Sequence, residues 1–559
     1  MPGRIILTRI RYTDWAISAA RRGKSTSIFS GCDVRPVRTS IRLAASSRRA
    51  RRICWQVECT AVWAMLFCGD KAGISVPSQP LLENHLNKIC TLYVTLLLTA
   101  LLATPSVYAA SPDLIVYGDY VLTMEPGTEV LRDGAVVIDE DRIIAVGPRQ
   151  QIDRDYVAAR AISGEGRVLM PGLVNGHTHT AMTLFRGMVD DLDLMTWLNQ
   201  YIFPMEGRFV TPEFVRVGTQ LACWEMIRGG TTSFVDMYFY PDDIAAVVVD
   251  CGLRAVVAAP HIDYPSPGFA GWDDSFAAAQ SFVQRWQGKH PRITPAFAPH
   301  APYTVSAEHL RQTVEAAAQH DAVISMHLAE APSETAFIKE NYKTSPVQHA
   351  AGLGLYGQRL IAAHMVQLSD EDIATTAAAT TVGAIHNPTS NMKLGAGISP
   401  VPAMLAAGIN VGLGTDGAAS NNDLDMCEEI RMAALLHQVK SGDPTALPAH
   451  QALAMATRLG AAAAQLGGVT GQLMEGMQAD LIQLNVTDKT RHLPLYDIES
   501  HLVYVLDSSD VVTTVVAGKV LMEERKVLTI DESALRSKVK ARSDEIRAAL
   551  LAQQKSVAP

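Results

Sequence analysis

The feature that most constrains this chain is the alternation, from Gly172 onward, of short apolar runs with alanine-rich helical stretches. Such alternation is typical of repeated βα units, which build a parallel sheet. Eight strands close a (β/α)8 barrel, and eight runs are found here. The predicted strands are Leu173–Asn175, Thr232–Val235, Ala255–Ala259, Thr294–Ala298, Val323–His327, Leu360–His364, Val382–His386 and Val411–Thr415. The sequence therefore predicts an α/β fold with a TIM-type barrel over residues 172–473.

Short strand patterns separated by turn residues flank the predicted barrel, over residues 113–171 and again over residues 474–530. The predicted flanking strands are Leu114–Val116, Val121–Met124, Gly134–Ile138, Arg142–Val146, Asp480–Leu484, Leu502–Val505, Val511–Val516 and Lys519–Met522. Two β-rich pieces on either side of a barrel most simply pack together, so we expect them to form one small β-sandwich. Residues 531–559 predict a polar, helical C-terminal tail.

The first 110 residues differ from the rest. Residues 1–64 are rich in Arg and Ser and poor in acids, which favours a start codon placed too far upstream over a basic targeting arm. Beyond Lys88, a 15-residue apolar stretch and the small-residue site Val107–Ala110 predict a secretory signal peptide over residues 88–110. A membrane anchor usually needs about 20 apolar residues. We expect an exported, periplasmic protein with no stable membrane anchor after cleavage, or a cytoplasmic one if this segment is not used.

The charge balance bears on the kind of partner. The formal net charge is −9 and the pI is near 6.0, whereas a nucleic-acid-binding protein needs a concentrated basic surface. A small-molecule substrate is therefore expected, and no nucleic acid.

Two histidines follow the first predicted barrel strand, in His177-Thr178-His179. Residues two apart on an extended chain point to the same side, so both imidazoles could reach one metal ion. Taken alone, a His-x-His pair is more often incidental than metal-binding.

Other predicted strands also end in ionisable residues. His327 and His364 each close an apolar run, and Asp416 follows Val411–Thr415. In α/β barrels the carboxyl ends of the strands converge on the active site. Each residue could singly be a cap or a satisfied core group, but their recurrence at separate strand ends favours one shared site.

The motifs around these residues resemble those of the amidohydrolase superfamily, and specifically of its mononuclear aminohydrolases. They are Pro171–His179 (PGLVNGHTH), His327–Glu330 (HLAE), Gly414–Gly417 (GTDG) and Gly476–Leu481 (GMQADL). The resemblance covers nearly all of residues 113–530. It implies a hydrolytic enzyme that acts on carbon–nitrogen bonds of cyclic amidines, with the metal ligands His177, His179, His327 and Asp416.

Binuclear members of the superfamily carry a bridging carboxylated lysine at the end of strand four. The corresponding stretch here, Ile293–His300, has no lysine, so the resemblance implies one divalent metal. Three imidazoles and one carboxylate suit zinc, with iron(II) as the alternative.

The resemblance also implies a mechanism. The metal would lower the pKa of a water molecule that Asp416 and His364 hold. Glu330, which is not a ligand, would move a proton from that water to a ring nitrogen and then toward departing ammonia. The expected catalytic residues are therefore Glu330, His364 and Asp416.

Within the superfamily, the chain is most similar to the 5-methylthioadenosine/S-adenosylhomocysteine deaminase group, often filed with triazine and atrazine hydrolases. The resemblance implies that Glu206 binds ribose hydroxyls, that His300 and Glu330 contact the substrate, and that Trp197 lines the base pocket. A surface-helix glutamate, a strand-end cap and a core aromatic are the alternative interpretations of Glu206, His300 and Trp197. A homo-oligomer is also implied.

One departure from this group matters for the substrate. Many members carry a substrate-binding arginine after strand three, where this chain reads Ala259–Pro265 (APHIDYP). This favours 5-methylthioadenosine or adenosine over S-adenosylhomocysteine, whose tail is charged. Two other readings stay open: a hydrolase of another azaheterocycle, such as a triazine chlorohydrolase or a guanine- or cytosine-type deaminase, and a non-catalytic binding protein that kept the barrel.

Overall fold

The computed structural model describes residues 111–557, so the predicted N-terminal extension and signal peptide (1–110) lie outside the described residues. Seventeen strands are described. They are β1 (Leu114–Val121), β2 (Leu131–Asp139), β3 (Arg142–Pro148), β4 (Arg160–Ile162), β5 (Arg167–Pro171), β6 (Leu173–Thr178), β7 (Thr231–Met237), β8 (Arg254–His261), β9 (Ile293–Pro299), β10 (Val323–Leu328), β11 (Leu360–His364), β12 (Val382–His386), β13 (Asn410–Leu413), β14 (Leu481–Asn485), β15 (Val511–Val516), β16 (Lys519–Glu523) and β17 (Lys526–Val527).

Helices follow most of the barrel strands. They are α1 (Arg149–Asp155), α2 (Leu194–Trp197), α3 (Phe203–Phe209), α4 (Pro212–Gly229), α5 (Pro241–Cys251), α6 (Trp272–Trp286), α7 (Ala307–His320), α8 (Pro332–Tyr342), α9 (Pro346–Gly352), α10 (Asp370–Ala378), α11 (Pro388–Lys393), α12 (Val401–Ala406), α13 (Met426–Ser441), α14 (Ala449–Met455), α15 (Arg458–Ala463), α16 (Ile498–Tyr504) and α17 (Glu532–Val557). None of the helices within residues 111–557 combines the length and the apolar character needed to cross a bilayer.

Strands β6 to β13 form the predicted barrel. They pair in parallel, in chain order, in one eight-stranded sheet. Between the first and last strands, the backbone N–H of Asp416 donates to the carbonyl of His177 at 2.9 Å. Nearly every residue of these strands is buried, because helices cover the outside while side chains fill the inside. The predicted barrel fold is thus confirmed, and all eight strand ends face the same side.

The two flanks share one nine-stranded mixed sheet. Its order is β17-β16-β15-β14-β5-β1-β2-β3, with β4 paired to β1. The flanks join where β5 pairs antiparallel with β14, with Pro171 opposite Leu481. Side chains from both flanks, including Leu114, Val136 and Val515, pack in one cluster. The predicted association of the two flanks is therefore present.

Two strand predictions in the flanks are wrong in detail. Leu114–Val116 and the start of the next predicted strand belong to the single strand β1. The predicted strand Leu502–Val505 lies mostly in helix α16. There the side chain of Asp497 accepts the N–H of Ser500 at 2.7 Å and caps the helix. This cap and the burial of one helix face outweigh the β propensity of Val and Tyr.

Candidate active site

His177 and His179 stand at the carboxyl end of β6. His177 is completely buried, and His179 follows as the residue that begins a 3-10 helix at Thr180–Phe185. Their ring centroids lie 4.8 Å apart. The extended backbone directs both imidazoles inward, as their spacing of two predicts.

The structure brings the four predicted metal ligands together. Oδ1 of Asp416 lies 3.5 Å from Nε2 of His177 and 3.2 Å from Nε2 of His179. Nε2 of His327 lies 3.3 Å from Nε2 of His179. These distances, across residues from β6, β10 and the end of β13, suit donor atoms that converge on one ion.

Hydrogen bonds orient two of the imidazoles toward the cluster. Nδ1 of His179 donates to the carbonyl of Met237 at 2.6 Å, and Nδ1 of His327 donates to the carbonyl of His300 at 2.9 Å. In each ring the proton on Nδ1 leaves a lone pair on Nε2. Backbone partners of this kind are the usual support of metal-binding histidines.

His177 provides the test of whether a metal fits. Both of its ring nitrogens are buried and neither has a hydrogen-bond partner. An unpaired buried polar group is costly, and an ion among these ligands would satisfy one of the two nitrogens. The donor set therefore fits a divalent metal.

Asp416 is held as an ionised carboxylate. Burial by itself would raise its pKa, but the neighbouring imidazoles of His177 and His179 hold the pKa well below its usual range. Oδ2 also accepts the hydroxyls of Ser390 at 2.7 Å and Ser420 at 3.0 Å. The two serines were not found from the sequence, because isolated hydroxyls carry no distinctive pattern.

His364, at the end of β11, belongs to the same cluster. Its ligand atom lies within 4.8 Å of those of His177 and His327. Nδ1 donates to Oδ1 of Asn391 at 2.9 Å, which turns Nε2 toward the cluster. The sequence assigns His364 to holding water, and its position also makes it a candidate ligand.

Glu330 is buried beside the cluster, with Oε1 3.9 Å from Nε2 of His364. Burial raises its pKa. The backbone leading to it bends at Ala329, where φ is +53°. A carboxyl that is close to the cluster and whose pKa is raised by burial is suited to take up and release a proton.

Glu334, in the first turn of α8, fixes this bend. Its two carboxylate oxygens accept the backbone N–H groups of Ala329 at 2.9 Å and Glu330 at 2.8 Å. Sequence reasoning missed Glu334. The available signal was its place four residues after Glu330, just inside the helix that Pro332 begins.

A cavity of about 810 Å³ opens above the cluster and contains every predicted substrate-binding residue in its lining. Glu206, on α3, is buried and accepts the hydroxyl of Tyr238 at 2.8 Å. Burial raises the pKa of Glu206 to about 7. Tyr238, directly after β7, is a further lining residue that the sequence did not single out.

His300 and Trp197 lie on the cavity wall. Nδ1 of His300 is 2.9 Å from the hydroxyl of Thr304, and desolvation lowers the pKa of His300 to about 3, so its ring is neutral. Trp197, on α2, is buried with part of its ring facing the cavity. The interpretations of Glu206 as a surface residue and of Trp197 as a core aromatic away from the site do not fit these positions.

The fold and this arrangement match a known family. The model of the amidohydrolase family matches residues 168–521. The chain belongs to this family, as its motifs predict, and is a hydrolase.

Two relatives are similar to this chain over most of its length. The chain is 46% identical over 433 residues to the 5-methylthioadenosine/S-adenosylhomocysteine deaminase of Pelotomaculum thermopropionicum, covering 77% of this chain and 98% of the relative. It is 44% identical over 436 residues to the 5′-deoxyadenosine deaminase of Methanosarcina mazei, covering 78% and 98%.

Two solved structures are also similar to this chain. The crystal structure of an adenosine deaminase from Xanthomonas campestris with bound zinc has a TM-score of 0.76 at 40% identity, covering 78% of this chain and 99% of that one. An atrazine chlorohydrolase from Arthrobacter aurescens, at 24% identity and a TM-score of 0.72, shares the fold.

Proposed function

We propose that this protein is a metal-dependent hydrolytic deaminase that releases ammonia from an adenosine-type nucleoside. The observation that carries the proposal is the buried carboxyl of Glu330 beside the His/Asp cluster, at the floor of a cavity large enough for a nucleoside. The relatives named as deaminases of adenosine compounds support the same reaction class.

One divalent ion would be held by His177, His179, His327 and Asp416. Three nitrogens and one oxygen suit zinc, and iron(II) is the alternative. When bound, such an ion supplies Lewis-acid chemistry that brings the pKa of water toward neutrality.

The chain's own residues would move the protons. Glu330 takes a proton from water and delivers it to a ring nitrogen of the purine, which makes the amino-bearing carbon electrophilic. It then carries a proton toward the leaving amine. Asp416 and His364, both buried at the floor of the cavity, hold the attacking water in line.

The remaining residues would orient the nucleoside. A carboxylate accepts up to about four hydrogen bonds, so Glu206 can bind ribose hydroxyls while it still accepts the hydroxyl of Tyr238. Neutral His300 can contact the substrate through Nε2, and Trp197 offers an apolar surface to the base.

Ammonia release by the metal-loaded full chain tests the reaction. We expect release from adenosine and 5-methylthioadenosine, and none from guanine or cytosine. Chloride release from a chlorotriazine without ammonia from any adenosine compound would instead identify a hydrolase of another azaheterocycle.

We further propose export, on the basis of the apolar stretch and small-residue site in residues 88–110. Mass spectrometry of the N-terminal peptide of the mature protein tests this. A first residue near 110 is expected, and a mature chain that retains residues 88–110 would contradict it. The expected homo-oligomer stays a prediction.

A further inference from the structure

Glu429, on α13, carries a buried carboxyl that the proposed mechanism does not use. It is 1% exposed and lies outside the cavity lining. Oε2 accepts the backbone N–H of Thr389 at 3.2 Å, and Oε1 accepts the side-chain amide of Asn421 at 2.7 Å. Burying a carboxyl is costly unless its oxygens are hydrogen-bonded. The two contacts therefore hold Glu429 in place, and each joins it to a segment that carries residues close to the cluster.

The first of these segments is the loop after β13, which contains Asp416. The side-chain nitrogen of Asn421 donates to Glu429 and also to the carbonyl of Thr415 at 2.8 Å. Both partners accept hydrogen bonds, so the amide must turn its NH2 group toward them. Glu429 thus fixes the side chain that holds the peptide group immediately before Asp416.

The backbone at Asp416 depends on such support. Its φ is +64°, in the left-handed region that residues other than glycine rarely adopt. A conformation of this kind persists only where the surrounding contacts hold it. On one side, the N–H of Asp416 donates to the carbonyl of His177 at 2.9 Å. On the other side, the support comes from Asn421 and, through it, from Glu429.

The second segment is the short helix α11. Its N-cap residue, Asn387, makes no side-chain hydrogen bond that caps the helix. The N–H groups of the first helical turn have no partner within the helix. Glu429 accepts one of them, the N–H of Thr389. A carboxyl of another helix thus serves as the cap that α11 does not provide for itself.

The next two residues of α11 contact the cluster. The hydroxyl of Ser390 donates to Oδ2 of Asp416 at 2.7 Å, and Oδ1 of Asn391 accepts Nδ1 of His364 at 2.9 Å. A shift of the first turn of α11 would displace both contacts together. Glu429 therefore reaches Asp416 by two routes, through the loop and through the helix, and it reaches His364 through the helix.

We propose that Glu429 is a positioning residue of the metal centre. Its two oxygens hold the loop at Asp416 against the first turn of α11, so that the carboxylate of Asp416 and the ring of His364 keep the positions in which they meet the ion. The metal centre is part of the proposed function, on which this inference rests. The role differs from that of Glu334, which holds the backbone at Glu330.

Zinc affinity, measured on the full chain by competition with a chromogenic chelator, tests the proposal. We expect Glu429→Ala to weaken zinc binding by about 10- to 100-fold, the usual cost of removing an outer contact of a metal site. Glu429→Gln keeps one acceptor oxygen and should weaken it less. Glu428→Gln changes the neighbouring, partly exposed carboxyl and should bind zinc as the wild type does. Wild-type affinity in both Glu429 variants would overturn the proposal.

Asn421→Ala keeps the test decisive should Glu429→Ala fail to fold. This variant removes the loop route and leaves the contact between Glu429 and α11 in place. We expect zinc binding about tenfold weaker than in the wild type. Unchanged zinc affinity in Asn421→Ala would contradict the loop route.

Thermal denaturation with and without zinc separates positioning from general stability. An ion that binds only the folded chain raises Tm by an amount that grows with its affinity. Zinc should therefore raise Tm less in Glu429→Gln than in the wild type. An equal rise on adding zinc, with a lower Tm in both states, would show that Glu429 only stabilises the fold and would overturn the proposal.

Kinetics on the zinc-saturated enzyme provide a further readout. In Glu429→Gln we expect kcat to fall by about tenfold with little change in KM, because the displaced groups hold the reacting water rather than the nucleoside. A change in KM alone would contradict the positioning role. No ammonia release by the wild-type chain would overturn the proposed deaminase function, whereas the zinc measurements would still decide the role of Glu429.

Discussion

The floor and the mouth of the cavity are built in opposite ways. At the floor, ionisable side chains gather at the ends of the strands, and four of them are held by hydrogen bonds to backbone or side chains: His179, His327, His364 and Asp416. At the mouth, the lining carries no cation, and four apolar side chains face solvent: Met195, Phe203, Tyr264 and Phe337. In the proposed function, the strand ends hold the reacting groups and the segments between them contact the substrate.

Removing the metal should have the largest effect on activity, because all four proposed ligands at the floor of the cavity act through it. We expect chelation to reduce ammonia release to background and added zinc or iron(II) to restore it. His177→Ala should lower metal content, measured by elemental analysis, since His177 has two unpartnered buried nitrogens at the cluster. His450→Ala, at an exposed position outside the cavity lining, serves as the control. Full activity in a metal-free sample would contradict the role of the cluster.

Glu330→Gln should leave the metal in place while kcat falls by about 10²- to 10⁴-fold, the usual contribution of a general acid or base. Single-turnover kinetics and metal analysis on the same preparation separate the two effects. Glu340→Gln, the same change at an exposed position of α8, should keep wild-type kinetics. A Glu330→Gln variant with an unaltered kcat would contradict proton transfer by Glu330.

Glu206 lies between the floor and the mouth of the cavity, and we expect its substitution to have an intermediate effect on kcat/KM. Burial raises its pKa to about 7, so the carboxylate form that accepts ribose hydroxyls predominates only above that pH. We expect kcat/KM to rise between pH 6 and 8 on this account.

Glu206→Gln should lower kcat/KM by about 10- to 100-fold, as expected for a hydrogen bond to a charged group. It should also remove the rise with pH. A rise that persists in this variant would assign the titration to another group.

Of these variants, Glu334→Gln should lower the activity least. The amide keeps one acceptor oxygen, so one of the two backbone N–H groups at Ala329 and Glu330 loses its partner. Because Glu334 positions Glu330, we expect kcat to fall by about tenfold with little change in KM. Thermal denaturation measured alongside distinguishes this from unfolding, and a rise in KM at constant kcat would contradict the positioning role.

Much of the fold and of the floor could be predicted from the sequence. His177 and Asp416 are far apart along the chain, yet their convergence follows from two local facts: each follows an apolar strand, and parallel strands present their carboxyl ends on one side. The roles of Tyr238 and Glu334 could not be predicted in this way, because their partners depend on how loops bend.

The sequence by itself determined the barrel, the metal-binding residue types and their place at strand ends, since hydrophobic period and strand topology are properties of the chain. Only the tertiary structure decided that α16 is a helix, that Glu334 holds Glu330, and that Met195, Phe203, Tyr264 and Phe337 meet at one opening. The sequence does not show whether an exposed apolar side chain lies alone or beside others. That depends on which residues folding brings next to it from other parts of the chain.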